Sequence, residues 1–189
     1  TWPFAAGDGL IRRTARFSAI TSEWRFFFGH FLNCRFCGQR FASLLLFRAD
    51  RSRFVTLSDA TNTYSLRSGF IDTVSAESTD GVFFRYTHSV NGGRWQAVTR
   101  ANNVETAQDT GITVATGTTY KLEVDVNATG TSAAFRINGA LTNTITTNIP
   151  TGSGRETGYG FMALRSVGTA AVNAIDLDYI AAEQRFTAR

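Results

Sequence analysis

Residues 118–138, TTYKLEVDVNATGTSAAFRIN, decide the fold. Tyr120, Leu122, Val124 and Val126 alternate with Lys121, Glu123 and Asp125, the period-two pattern of a half-buried strand. Asn127-Ala-Thr-Gly130 then reads as a turn. A second strand follows, with Phe135 and Ile137 on one face and Arg136 on the other. Asn138-Gly139 closes it with the dipeptide that most strongly marks a tight hairpin. A meander of this kind is apolar on one side only, so a second sheet must cover that side.

Working outward, the same texture holds from Phe54 to the end. Thr63–Ile71, Gly81–Thr87, Arg94–Arg100, Gly111–Val114, Gly158–Arg165 and Ala174–Ala181 read as short strands separated by Gly, Asn, Asp and Ser turns. No segment sustains a 3.6-residue period over ten residues. The expected fold is all-β, a two-sheet antiparallel jelly-roll sandwich occupying residues 54–189.

The chain has 189 residues, within the range of one domain with a substantial core. Its 43% hydrophobic and 18% charged residues place it among ordinary globular proteins. No apolar run approaches the roughly 18 residues of a membrane helix, so no membrane partner is expected. Thr1-Trp-Pro-Phe4 lacks the basic end and apolar stretch of a signal peptide, and none is expected.

Residues 1–53 differ from the rest. They hold nine Arg against three acids, whereas residues 54–189 hold nine Arg and one Lys against twelve acids, so the net charge of +4 is the sum of +6 and −2. Nine of the sixteen Phe, both Cys and two of three Trp lie there too. The segment reads as a basic, Phe/Arg-rich N-terminal arm or a set of extra strands, with Trp24–Phe28 and Leu44–Phe47 as the strand candidates. A reading frame displaced upstream of about Phe54 is the other explanation, which peptide masses from residues 14–48 would exclude. Arg12, Arg13, Arg16, Trp24 and Arg25 are the candidate partner contacts.

From residue 54 the chain resembles the concanavalin A-like, LamG-type jelly-roll virion proteins of tailed bacteriophages. The stretches that carry the resemblance are Thr79–Tyr86, Arg94-Trp95, Asp109–Val114, Gly117–Tyr120, Leu122–Thr131, Phe135–Gly139, Thr147–Pro150 and Ile175–Ile180. Together they span roughly residues 54–186, about 70% of the chain. The resemblance implies a virion structural protein without a catalytic residue. With the basic arm, it leads to the expectation of a capsid decoration or cement protein, located in the virion and in the host cytoplasm during assembly. Its partners would be the major capsid protein and further copies of itself, a homotrimer by analogy. A tail-associated carbohydrate-binding module, with Trp95 as the glycan contact, is the alternative; a glycoside hydrolase is the remote one.

Candidate chemistry is sparse. Glu123-x-Asp125-x-Asn127 approaches the E-x-D-x-E strand of retaining glucanases on this fold, whose carboxyl groups stand about 5–5.5 Å apart. Asn127 cannot shuttle a proton and reads better as a turn residue, so no catalytic residue is expected. Cys34-Arg-Phe-Cys37 with His30 falls short of the four ligands of a structural zinc. Asp176 and Asp178 are too few for calcium, and Asp59, Asp72, Asp80 and Asp109 read as turn formers. No metal or cofactor is expected. His88 reads as a loop histidine and Tyr120 as core, while Tyr86 and Tyr159 invite either core or sugar stacking. Nucleic acid is not an expected partner, because the body of the chain is net acidic.

Overall fold

A computed structural model describes residues 10–13, 24–28, 43–54, 56–152, 157–168 and 175–186, with side chains at 54, 56–152, 157–164, 166–168, 175 and 177. Twelve strands appear in these residues: β1 (Leu10–Arg13), β2 (Trp24–Phe28), β3 (Ser43–Phe54), β4 (Tyr64–Ile71), β5 (Gly81–Thr87), β6 (Arg94–Ala101), β7 (Val104–Thr113), β8 (Thr119–Val126), β9 (Ala133–Ile137), β10 (Ala140–Ile145), β11 (Gly158–Arg165) and β12 (Ile175–Phe186). Sheet A has the order β1-β12-β3-β8-β9-β10 and sheet B the order β2-β11-β4-β5-β6-β7. Every pairing is antiparallel, and the fold is an all-β jelly-roll sandwich. Among the described residues no helix is long and apolar enough to cross a membrane.

The opening stretch forms β8 and β9, in register from Leu122 opposite Ile137 to Val126 opposite Ala133. Asn138 and Gly139 both take positive φ, 54° and 83°, the geometry of the hairpin turn that this dipeptide favours. The Asn138 Oδ1 also accepts the Lys121 backbone N–H at 2.8 Å, pinning the turn to the start of β8. Asn127 is a turn residue: its Oδ1 accepts the backbone N–H groups of Thr131 and Ser132 at 2.8 and 3.1 Å.

Two edge strands exceed the sequence expectation. β7 begins at Val104 rather than Gly111, and β10 follows the hairpin turn. Neither carries a clean apolar alternation, because each lies at the end of its sheet and covers little core. The described parts of residues 1–53 are β1 beside β12, β2 beside β11, and β3 between β12 and β8. Arg12 and Arg13 fall on β1, opposite Ala181 and Ile180, and Trp24 and Arg25 on β2, opposite Ala163 and Met162. Their side chains, and Arg16, His30, Cys34 and Cys37 altogether, lie outside the described residues.

The core fills the space between the sheets. Tyr64, Leu66 and Phe70 of β4, Val82, Phe84 and Tyr86 of β5, and Trp95 and Ala97 of β6 face Tyr120, Leu122, Val124 and Val126 of β8 and Phe135 and Ile137 of β9. Phe84 meets Phe135 across the sandwich, ring centroids 5.2 Å apart and edge-on. Such a pair adds about 0.5–1.5 kcal/mol beyond burial of its area. A second, smaller cluster of Ile71, Phe83 and Val98 lies on the other side of sheet B, where Val74 packs onto it. The connection between β4 and β5 therefore folds back over the outer face of that sheet. Asp72 closes the connection by accepting the backbone N–H groups of Thr79 and Asp80, both at 3.1 Å. Sheet B can hold these strands so closely because position 69 is glycine. A Cβ there would stand 2.5 Å from the Val82 carbonyl oxygen.

Candidate functional site

Residues alternate across a strand, so β4, β5, β6, β7 and β11 each send a second set of side chains to the outer face of sheet B. The registers align one row of them across the sheet: Met162 opposite Arg67, Arg67 opposite Arg85, Arg85 opposite Gln96, Gln96 opposite Asp109. Two guanidinium groups directly opposite one another repel unless carboxylates intervene. Here two do. Arg85 forms a bidentate pair with Glu105, donating Nη1 to Oε2 at 2.9 Å and Nη2 to Oε1 at 2.8 Å, while its Nε donates to Gln96 Oε1 at 3.0 Å. Arg67 donates to Glu77, which arrives from the β4–β5 connection.

Arg100, opposite Glu105 and one row beyond Phe83 and Val98, joins the two halves. Its Nη1 lies 3.3 Å from both Glu77 Oε1 and Glu105 Oε2. Arg67 is 6% exposed and its guanidinium lies 5.8 Å from the Phe83 ring centroid. Arg67 Nε and Nη1 and Arg100 Nε have no hydrogen-bond partner among the described residues. At the rim, Arg94 donates to Asp109 at 2.8 Å, and both side chains are well exposed.

The electrostatics follow from these contacts. Burial pushes the Glu105 carboxyl up, but hydrogen bonds and charge from Arg85 and then Arg100 outweigh it and hold the group below the ordinary glutamate range. Asp109 is also held low, first by the Gly111 backbone N–H and then by Arg94. The face is a preformed array of planar groups that offer paired donors and acceptors, chemistry suited to hydroxyl and carboxylate ligands.

The residues singled out in the sequence fall elsewhere. Trp95 is fully buried, ringed edge-on by Phe54 at 5.7 Å, Tyr120 at 5.8 Å, Phe84 at 6.1 Å and Tyr86 at 6.3 Å. It presents no face on which a sugar could stack, which corrects its reading as a glycan contact. Position after a turn did not decide its orientation; its phase with Ala97 did. Tyr120 and Tyr86 are core, and Tyr159 is half-buried against Phe70. Burial raises the Tyr64, Tyr86 and Tyr159 hydroxyls above the usual tyrosine range.

On sheet A, Glu123 lies between Arg48 and Arg136 in register, with Lys121 Nζ 3.4 Å away, and Asp125 pairs with Arg136. These are outward-facing polar positions of a scaffold strand. His88 lies in the turn after β5. Asp59 Oδ1 accepts the backbone N–H groups of Thr61 and Asn62 at 2.8 and 2.7 Å, as a turn former does. The side chains of Asp176 and Asp178 lie outside the described residues. Among the described residues no three His, Cys, Asp or Glu gather as a metal site.

The model of one protein family, SO2946-like, C-terminal domain, matches residues 20–178, a range that includes β2 and β3. Among solved structures, the carbohydrate recognition domain of Emp46p in its potassium-bound form is similar, with a TM-score of 0.60, 8% identity, and 94% of this chain and 86% of that one covered. The carbohydrate recognition domain of Emp47p gives 0.54, 10%, 94% and 86%. A mutant of alginate lyase Aly36B in complex with alginate trisaccharide gives 0.50, 14%, 76% and 71%. At such identities the likeness is one of fold. No curated protein matches the chain.

Proposed function

The chain belongs to the SO2946-like C-terminal domain family, and we propose that it is a non-catalytic carbohydrate-binding module that takes its ligand on the outer face of sheet B. The observation that carries this reading is the cross-strand row Arg67-Arg85-Gln96-Asp109, to which the side chains of Glu105 and Arg100 are linked from beyond Phe83 and Val98. Sugar hydroxyls need donors and acceptors held in fixed relative positions, and a β-sheet holds them on a rigid element. Two of the similar folds are carbohydrate recognition domains and a third was solved with an alginate trisaccharide, which supports the class of ligand. Among the described residues every aromatic side chain is buried or half-buried, so the grip proposed for β4 to β7 is by hydrogen bonds and charge.

The decoration reading rested on residues 1–53, whose side chains lie outside the described residues, and none of the three similar structures named above is a capsid component. Its virion setting rests on resemblance alone, and labelling the protein in intact particles tests it. The carbohydrate reading is tested on a glycan array. The intact protein is expected to bind a defined subset of glycans, with Arg85→Ala reducing affinity at least about tenfold, the scale of one lost charge-assisted contact. Unchanged binding in that variant moves the site off this face. No binding to any glycan ends the reading.

A further inference from the structure

The outer face of sheet B carries an imbalance of charge among its described residues. Among the described residues, Arg67, Arg85 and Arg100 interlock there with two carboxylates, Glu77 and Glu105. Arg94 and Asp109 pair at the rim and leave that difference unchanged. The carboxylates are not equivalent. Glu105 belongs to a strand and has one strand arginine in a bidentate grip, with its side chain 24% exposed. Glu77 sits on the irregular β4–β5 connection, and its side chain is 44% exposed while the Arg67 and Arg100 side chains that it bridges are 8% and 16% exposed. The least buried member of the network therefore neutralises the most buried one.

We propose that this face is a site for a carboxylate-bearing polysaccharide, and that Glu77 occupies the seat that a ligand carboxylate takes between Arg67 and Arg100. The inference rests on the carbohydrate-binding reading and adds the ligand's charge and its point of attachment. Folding has already removed Arg67 from water, which is the costly step in making a charged contact. Exchanging the Glu77 carboxylate for that of a uronate keeps the number of ion pairs on Arg67 and Arg100 unchanged. Glu77 then returns to water, where a free carboxylate is well solvated. Arg67 Nε and Nη1 and Arg100 Nε are buried and have no hydrogen-bond partner among the described residues, so Glu77 leaves part of the donor capacity of both guanidinium groups unused. The connection can release Glu77 without leaving the sheet, because Asp72 and Val74 anchor it independently of that side chain.

The test titrates a uronate oligosaccharide, the same oligosaccharide after its carboxyl groups are reduced to alcohols, and single-stranded DNA of similar length against the intact protein, Glu77→Gln and Arg100→Gln. The uronate is expected to bind, and its reduced form to bind at least about tenfold more weakly. Glu77→Gln removes the internal competitor and should tighten uronate binding roughly three- to tenfold, whereas Arg100→Gln should weaken it. Equal binding of the reduced oligosaccharide overturns the acidic-ligand assignment and leaves the carbohydrate reading standing. Binding of neither oligosaccharide overturns the acidic-ligand assignment, and the glycan array then decides the carbohydrate reading separately. Unchanged or weaker uronate binding by a folded Glu77→Gln overturns the role of that side chain. Should that variant fail to fold, Arg100→Gln decides alone, and equal loss on both oligosaccharides counts against the proposal. DNA bound as tightly as the uronate overturns the ligand class.

Discussion

The two faces of sheet B are made from alternate residues of the same strands and obey different physics. On β5, Val82, Phe84 and Tyr86 enter the core, while Arg85 between them joins the ion-pair network. On β6, Trp95 and Ala97 go inward and Gln96 and Arg100 outward. The inner face is stabilised by shape and by exclusion of water, forces without direction. The outer face depends on distances and angles between charged groups, and it needs a connection from outside the sheet to supply Glu77. An inner-face error costs packing, and an outer-face error costs ion pairs and, on the proposed reading, recognition.

The strongest attempt to break this division is Trp95→Ala. The side chain is fully buried among four aromatic rings, so truncation leaves a cavity that rigid strands cannot collapse, at a cost of about 3–5 kcal/mol. Denaturant unfolding measures it. Any glycan affinity should survive in the folded fraction, since Trp95 does not reach the outer face. A stable Trp95→Ala protein that had lost only binding would mean that the two faces are coupled.

A smaller effect is expected from Glu105→Gln, about 1–2 kcal/mol at neutral pH after allowing for partial exposure. Its pH dependence is the sharper readout. Because the folded-state pKa of Glu105 lies below its ordinary value, the contribution is fully present above about pH 4.3 and is lost as pH falls through the lowered folded value. Wild type should lose stability over that acidic window, and Glu105→Gln should lose correspondingly less. Parallel curves for the two proteins would show that Arg85 and Arg100 do not hold the carboxylate in solution.

Legibility divides along the same line. The strands at Thr119–Val126 and Ala133–Ile137 were readable because their alternation is local, and Asn138-Gly139 because its backbone preference is intrinsic to the two residues. β7 was mostly hidden, since Val104-Glu-Thr-Ala-Gln-Asp-Thr110 lies at an edge where solvent imposes no alternation. Trp95 was ambiguous because Val98, on the opposite phase, is also buried, under Val74. The outer-face row was not legible. Arg67 and Arg85 each look like an ordinary outward residue of a strand, and only cross-strand register makes them neighbours. Register is a long-range property, and no local pattern encodes that residue 77 should meet both 67 and 100.

The smallest expected effect is none, and it concerns the outer face of the other sheet. Glu123 and Asp125 have the strand spacing of a glucanase pair, but their surroundings suit a scaffold: Lys121 and Arg136 neutralise them. The third position, Asn127, spends both carbonyl lone pairs on the turn that follows. A retaining glycosidase needs one carboxyl to carry a proton and another to attack, and both must reach the same sugar. Glu123 is 6% exposed and sits beside Lys121, with Arg48 and Arg136 opposite it in register. Wild type and Glu123→Gln should therefore show the same background rate on β-glucans, measured as reducing ends released. Hydrolysis by wild type that Glu123→Gln abolishes would move the chemistry to sheet A and reduce the arginine row of sheet B to scaffold.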